Sequence, residues 1–109
     1  MKPGVTRDQT REIGKAIYAK WGFADHRPAA AGHFVGMSVH DVGDSREPFR
    51  AGMVIAVEPI IDIPEKRLHV RIEDTVLVTE GGAEVLSAAV PKEVDEVLAL
   101  MRGRATASR

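Results

Sequence analysis

The apolar positions of this chain change their period along its length. From Arg7 onward Ile13, Ala16, Ile17 and Trp21 fall at steps of three and four, which places them on one stripe of a helix. Pro3-Gly4 reads as a turn before that helix, and Thr6 with Gln9 three residues later reads as a capping box. Gly22 is a C-terminal stop, so the pattern predicts a packed surface helix from near Arg7 to near Trp21. Phe23 to Gly32, with Asp25, Pro28 and a run of alanines, has no clear period and reads as a loop.

The second half of the chain has the period of strands. Met53-Val54-Ile55-Ala56-Val57 is nearly continuous in apolar residues, follows Ala51-Gly52 and is rich in β-branching, which favours a buried strand ending at Glu58. Ile60 to Ile63 extends beyond Pro59, and Pro64-Glu65-Lys66 turns the chain. Leu68, Val70 and Ile72 then alternate with His69, Arg71 and Glu73, so Arg71 and Glu73 are expected on one sheet face. The strand is expected to continue through Thr75-Val76-Leu77-Val78 until Gly81-Gly82 breaks it, with a short strand near Val85-Leu86. Pro91 suits the first turn of a last helix whose Val94, Val97, Leu98 and Met101 form a stripe. Residues 1–102 thus read as one domain and 103–109 as a disordered tail.

Composition narrows the chemistry. A net charge of −1 gives no electrostatic case for nucleic acid or anionic lipid as a partner. The absence of cysteine removes a disulfide frame, a thiolate metal site and a cysteine nucleophile together, so any metal must be held by nitrogen and oxygen. No apolar run approaches the roughly 20 residues of a membrane span, and Met1-Lys2-Pro3-Gly4 lacks the apolar segment of a signal peptide. The expected compartment is the cytoplasm.

The candidate chemistry lies between the first helix and the strands, in Gly32-His33-Phe34-Val35-Gly36, His40-Asp41, Glu58-Pro59 and Arg71-Ile72-Glu73-Asp74. A carboxylate at the end of a buried apolar strand is costly to desolvate unless a cation or donors meet it, and Glu58 and Glu73 both raise that question. A divalent metal would answer both charges while His33 supplied a neutral imidazole nitrogen; one nitrogen among carboxylate oxygens suits Mn²⁺, Co²⁺, Fe²⁺ or Zn²⁺. Taken singly, each residue has a plainer reading. Glutamate before proline is more often a strand end with its head in water, Glu73 could belong to a surface charge ladder, and His33 and His40 could be packed histidines. Gly32 and Gly36 tilt the balance, because they let the backbone pass close to a ligand around His33.

In order and context these motifs resemble the pita-bread metallopeptidases, the group of methionine aminopeptidase and creatinase. They look most like aminopeptidase P and prolidase, the Xaa-Pro peptidases. The resemblance rests on Gly32-His33-x-x-Gly36-x-x-x-His40-Asp41, Gly52 to Pro59 and Val70 to Glu80, and it extends to the opening Lys2-Pro3-Gly4-Val5-Thr6 and to Leu86-Ser87 with the closing helix. It implies an α+β fold, the C-terminal half of the pita-bread fold, with a curved, mostly antiparallel sheet and two flanking helices. It also implies metal ligands at His33, Glu58 and Glu73, with Glu73 bridging two ions whose shared water attacks the scissile carbonyl before proline. Glu58 matches the residue that ferries the proton to the leaving nitrogen, His40 the one that approaches the substrate carbonyl, and Arg71 an arginine that orients the site.

The chain departs from that pattern in two places. Two further aspartate ligands of the family lie on strands upstream of the Pro-Gly-Val-Thr helix, where this chain starts, and a family histidine four residues before His33 falls at Ala29. The expectation is therefore three of five ligands, holding one ion or none, and weak or no activity for the isolated chain. Three readings follow: a catalytic part that needs an N-terminal half, a homodimer, and a non-catalytic relict binding module. For the first, the expected substrate is a peptide with proline in its second position.

Overall fold

The computed structural model describes residues 1–26 and 32–107, with the side chains of 104–107 left aside; Pro28 and Ala29 lie outside the described residues. Helix α1 (Arg7–Lys20) begins where the capping box places it: the Thr6 hydroxyl accepts from the Gln9 amide and the Gln9 side chain accepts from the Thr6 amide. Asp8 in its first turn and Lys20 in its last suit the helix dipole, and Trp21 caps the end before Gly22 turns with φ 78°. A single 3-10 turn follows at Ala24–His26.

Among the described residues six strands form two antiparallel sheets. The larger has the order β1 (His33–Phe34), β2 (Val54–Val57), β5 (Asp74–Thr79), β6 (Gly82–Val85), and the smaller pairs β3 (Ile60–Ile63) with β4 (Leu68–Arg71). The single strand expected from Leu68 to Val78 is in fact two, parted at Ile72-Glu73. The same break occurs opposite, at Glu58-Pro59, between β2 and β3. Pro59 has no N–H to donate, so the ladder cannot pass through it and the hairpin bends away as a separate sheet. Arg71 and Glu73 therefore do not share a face of one sheet: Arg71 ends β4, and Glu73 lies in the step to β5.

The core forms on one face of the larger sheet. Phe49, Ile55 and Val78 are almost fully buried, with Met1, Val5, Phe34, Met53 and Val57 packed around them. Phe49 has no periodic segment around it in the sequence. It is carried in by an irregular stretch whose backbone pairs with the chain before α1, Phe49 N donating to Val5 O at 2.8 Å and Gly4 N donating to Phe49 O at 3.0 Å. Its ring meets Phe34 edge-on, centroids 6.4 Å apart.

Neither helix buries its stripe. Ile13, Ile17 and Trp21 on α1 are 54–69% exposed, so the expectation of a packed surface helix fails for that face. Among the described residues α1 meets the smaller sheet chiefly through Tyr18, whose hydroxyl donates to Ile60 O at 2.8 Å. Helix α2 (Val94–Ala107) starts three residues after Pro91, so Pro91 precedes the helix instead of occupying its first turn, and it runs on through Gly103, where the sequence places the start of a tail. Val94, Leu98 and Met101 on it are exposed.

Stability should follow the sheet core. Phe49→Ala is expected to lower the unfolding free energy by about 3–5 kcal/mol in urea titration, whereas Ile17→Ser on the exposed stripe should change it by less than about 0.5 kcal/mol.

Candidate metal centre

The strand register decides which residues meet. β2 runs antiparallel to both neighbours, so the starts of β1 and β5 flank its end: His33 pairs with Ala56, Ala56 with Thr75, and Val57 with Asp74. Residues directly opposite, and those two positions along, share a sheet face. His33, Ala56 and Thr75 therefore share the face opposite the core. Glu58, two beyond Ala56, and Glu73, two before Thr75, extend it at one edge. One ligand atom each of His33, Glu58 and Glu73 lies within 4.8 Å of the others. Each comes from a different strand end, and only the sheet brings them together.

Local structure holds each one. Gly32 is buried with φ 135°, and a side-chain carbon there would run into the Ala56 carbonyl. Glycine thus lets the chain enter β1 flush against β2, and a guanidinium N–H of Arg7 donates to the Gly32 carbonyl from α1. His33 Nδ1 lies 3.0 Å from Phe34 O. A carbonyl only accepts, so that contact is a hydrogen bond when Nδ1 carries the proton, which leaves the Nε2 lone pair free for a ligand. Nε2 points toward Glu58 Oε1, 3.9 Å away, and both side chains are about seven-eighths buried.

Arg71 approaches the other oxygen, Nη1 to Glu58 Oε2 3.4 Å. His40 is exposed but not remote: the Asp41 amide donates to Phe34 O at 3.0 Å, returning the loop beside β1, and the His40 ring stacks on His33 with centroids 4.0 Å apart. On the opposite face Asp74 Oδ1 accepts from Ser87 Oγ at 2.5 Å and Lys92 Nζ at 2.7 Å. Lys92 foremost, then Ser87, hold the Asp74 carboxyl below the usual carboxylate range.

These donors fit a divalent cation. Two carboxylates this close repel, by about 1 kcal/mol in bulk water and about 4 kcal/mol at an effective dielectric of 20 for unit charges 4 Å apart. Arg71 offsets part of that for Glu58. A doubly charged ion beside an imidazole held with Nε2 bare would offset the rest. The five residues singled out in the sequence, His33, His40, Glu58, Arg71 and Glu73, all fall at this edge. The contacts of Arg7, Asp74, Ser87 and Lys92 escape the sequence reading: Arg7, Ser87 and Lys92 lie far from the motifs they support, and no local period marks them. Asp74 and Ser87 carry a hint, the first beside Glu73 in a motif and the second in the resemblance at Leu86-Ser87.

Comparisons with known proteins point the same way. A family model described as metallopeptidase family M24 matches residues 1–80. The chain is 48% identical over 82 residues to an Xaa-Pro aminopeptidase of Haemophilus influenzae, covering 64% of this chain and 19% of that protein. It is 41% identical over 90 residues to an Xaa-Pro dipeptidase of Pyrococcus furiosus, covering 79% of this chain and 26% of that one. The solved structure of an Xaa-Pro dipeptidase from Bacillus anthracis superposes with a TM-score of 0.76 at 31% identity, covering 85% of this chain and 27% of that chain. This chain thus spans about a quarter or less of the length of these relatives, and its two antiparallel sheets with two helices are a part of the pita-bread fold of aminopeptidase P and prolidase.

The loop after His40 carries its own charge lock. Arg46 donates from Nε and Nη2 to the two Asp44 oxygens at 3.0 and 2.8 Å, and this pair foremost lowers the Asp44 pKa from 3.8 to about 2. A lowered native pKa stabilises above the unfolded value and loses that contribution as pH falls through the native one. Carbon-detected NMR of the Asp44 carboxyl should therefore titrate near 2, and Arg46→Ala should return it toward 3.8.

Proposed function

The chain belongs to metallopeptidase family M24, and from that premise we propose that it supplies the ligand edge of an Xaa-Pro peptidase, hydrolysing the bond before proline. The observation that carries this reading is the convergence of His33, Glu58 and Glu73 within 4.8 Å. Members of the family generally depend on divalent metal. His33 through Nε2, Glu58 and Glu73 would hold the ion, Mn²⁺ first and Co²⁺, Fe²⁺ or Zn²⁺ next, since one nitrogen with two carboxylates is a hard donor set. When bound, such an ion acidifies water and polarises a carbonyl.

This chain's own groups supply the rest. His40, exposed and with its ring against that of His33, would donate a hydrogen bond to a substrate carbonyl oxygen at the open side of the site. Glu58 has one oxygen toward His33 and the other toward Arg71, which suits a group that takes up a proton and passes it to the leaving nitrogen. Arg71 orients Glu58 from the neighbouring sheet. The substrate on this reading is a peptide with proline in its second position, as the names of the Haemophilus and Pyrococcus relatives suggest for those proteins.

A partner belongs to the same reading. Ile17, Tyr18, Trp21, Pro59, Ile61 and Val70 line a groove of about 280 Å³ between α1 and the smaller sheet. An apolar groove continuous with an exposed helix stripe supports covering by a second polypeptide surface, an N-terminal half bearing the remaining ligands or a second copy of this chain. A non-catalytic binding module that keeps the fold is the alternative. No helix among the described residues is long and apolar enough to cross a membrane.

Equilibrium dialysis with Mn²⁺ separates these readings. Wild-type chain should retain the ion and Glu73→Gln should lose most of it, while equal, near-zero retention in both would favour the non-catalytic module. With an aspartate-bearing N-terminal half added, hydrolysis of an Xaa-Pro dipeptide should appear, and Glu58→Gln should lower its kcat by about 10²–10⁴-fold. Absence of hydrolysis with a folded, associating half would count against the catalytic reading.

A further inference from the structure

Glu73 is exposed and stands in the two-residue step between the sheets, outside both ladders. On the far side is Asp74, the first residue of β5, which pairs with Val57 across to β2. Its side chain projects to the face opposite the ligands and is gripped there. Ser87 Oγ donates to Asp74 Oδ1 at 2.5 Å and accepts from the Thr75 amide at 3.1 Å, Lys92 Nζ donates to the same Asp74 oxygen at 2.7 Å, and the Leu86 amide donates to Thr75 O at 2.8 Å. The segment after β6 therefore clasps the first two residues of β5.

A lysine–carboxylate pair this accessible, with both side chains a little over a quarter exposed, contributes little to global stability. Its geometric effect is larger. Three donors converge on one strand end, and that end sets where the Cα of Glu73 stands relative to Glu58 and His33. We propose that Ser87 and Lys92 are positioning residues for the metal centre. Acting through Asp74, they pin the start of β5 so that the Glu73 carboxylate is presented to an ion shared with His33 and Glu58. The inference rests on the ligand reading above. It adds that the segment Ser87–Lys92, on the far face and remote in sequence from the ligand motifs, controls ligand geometry without touching the ion.

The test uses the full chain, with Mn²⁺ alone as probe, followed by calorimetric titration and by the thermal midpoint of the metal-free protein. Lys92→Met and Ser87→Ala are each expected to weaken Mn²⁺ binding by about 10-fold, the lower range for losing an outer-shell support, with the metal-free midpoint unchanged. Lys92→Arg, which keeps a cationic donor, should restore binding. Wild-type affinity in both Lys92→Met and Ser87→Ala would overturn the proposal, as would a loss of affinity matched by a fall in the metal-free midpoint, the mark of a merely structural role. Amide hydrogen exchange at Thr75, whose N–H donates to Ser87 Oγ, provides in the metal-free chain a reading independent of the ion. It should quicken in Lys92→Met while Val76 and Val78 stay protected, and equal exchange in both proteins would sink the clamp. If wild-type chain binds no Mn²⁺ at all, the ligand reading fails, and the exchange result alone decides the clamp.

Discussion

The antiparallel pairing of β2 with β1 on one side and β5 on the other is the constraint on which the rest of this molecule depends. Antiparallel neighbours present their starts beside the end of the central strand, so His33, Glu58 and Glu73 reach one edge from positions far apart in the chain. Side-chain alternation does the remaining sorting. The same register that turns Phe34, Ile55 and Val57 toward the core with Phe49 turns His33, Glu58 and Glu73 to the opposite face. A slip of one residue in either pairing would turn a candidate ligand toward the core. The apolar core and the polar edge are thus two consequences of one hydrogen-bond ladder, and the stability of the first underwrites the geometry of the second.

Much of this was legible from residues in local context. The capping box at Thr6, the strand ending at Glu58 and the turn at Pro64 each depend on interactions within a few positions, and each stands where the pattern puts it. The cluster at the edge was legible for a different reason. His33, His40, Glu58, Arg71 and Glu73 sit in motifs that resemble a known family, whereas spacing alone favours a plainer reading for single residues and leaves the set evenly poised between site and scaffold.

What escaped the sequence depends on distant contacts. The break at Ile72-Glu73 is caused by Pro59 on the opposite strand, so alternation from Leu68 onward gave no sign of it. Phe49 lacks periodic neighbours and is held by backbone bonds to Val5 and Gly4. The stripe of α1 is genuinely amphipathic in sequence, yet Ile13, Ile17 and Trp21 face outward. Periodicity reports that a face is suited to burial and not what buries it. Ile17 and Trp21 line the apolar groove with Pro59 and Ile61, so this exposed apolar surface and the edge carrying the candidate ligands adjoin one another.

On the reading proposed above, His33 presents Nε2, with Nδ1 protonated and bound to the Phe34 carbonyl, to a divalent ion shared with the two glutamates. Long-range proton–nitrogen NMR of the four imidazoles during titration with diamagnetic Zn²⁺ tests it most directly, since each ring nitrogen reports its own proton and its own ligand. Nε2 of His33 should move first and at stoichiometric metal, while its Nδ1 keeps the proton and His26 and His69 remain unshifted. A first response at His26 or His69, or loss of the His33 Nδ1 proton on binding, would contradict it.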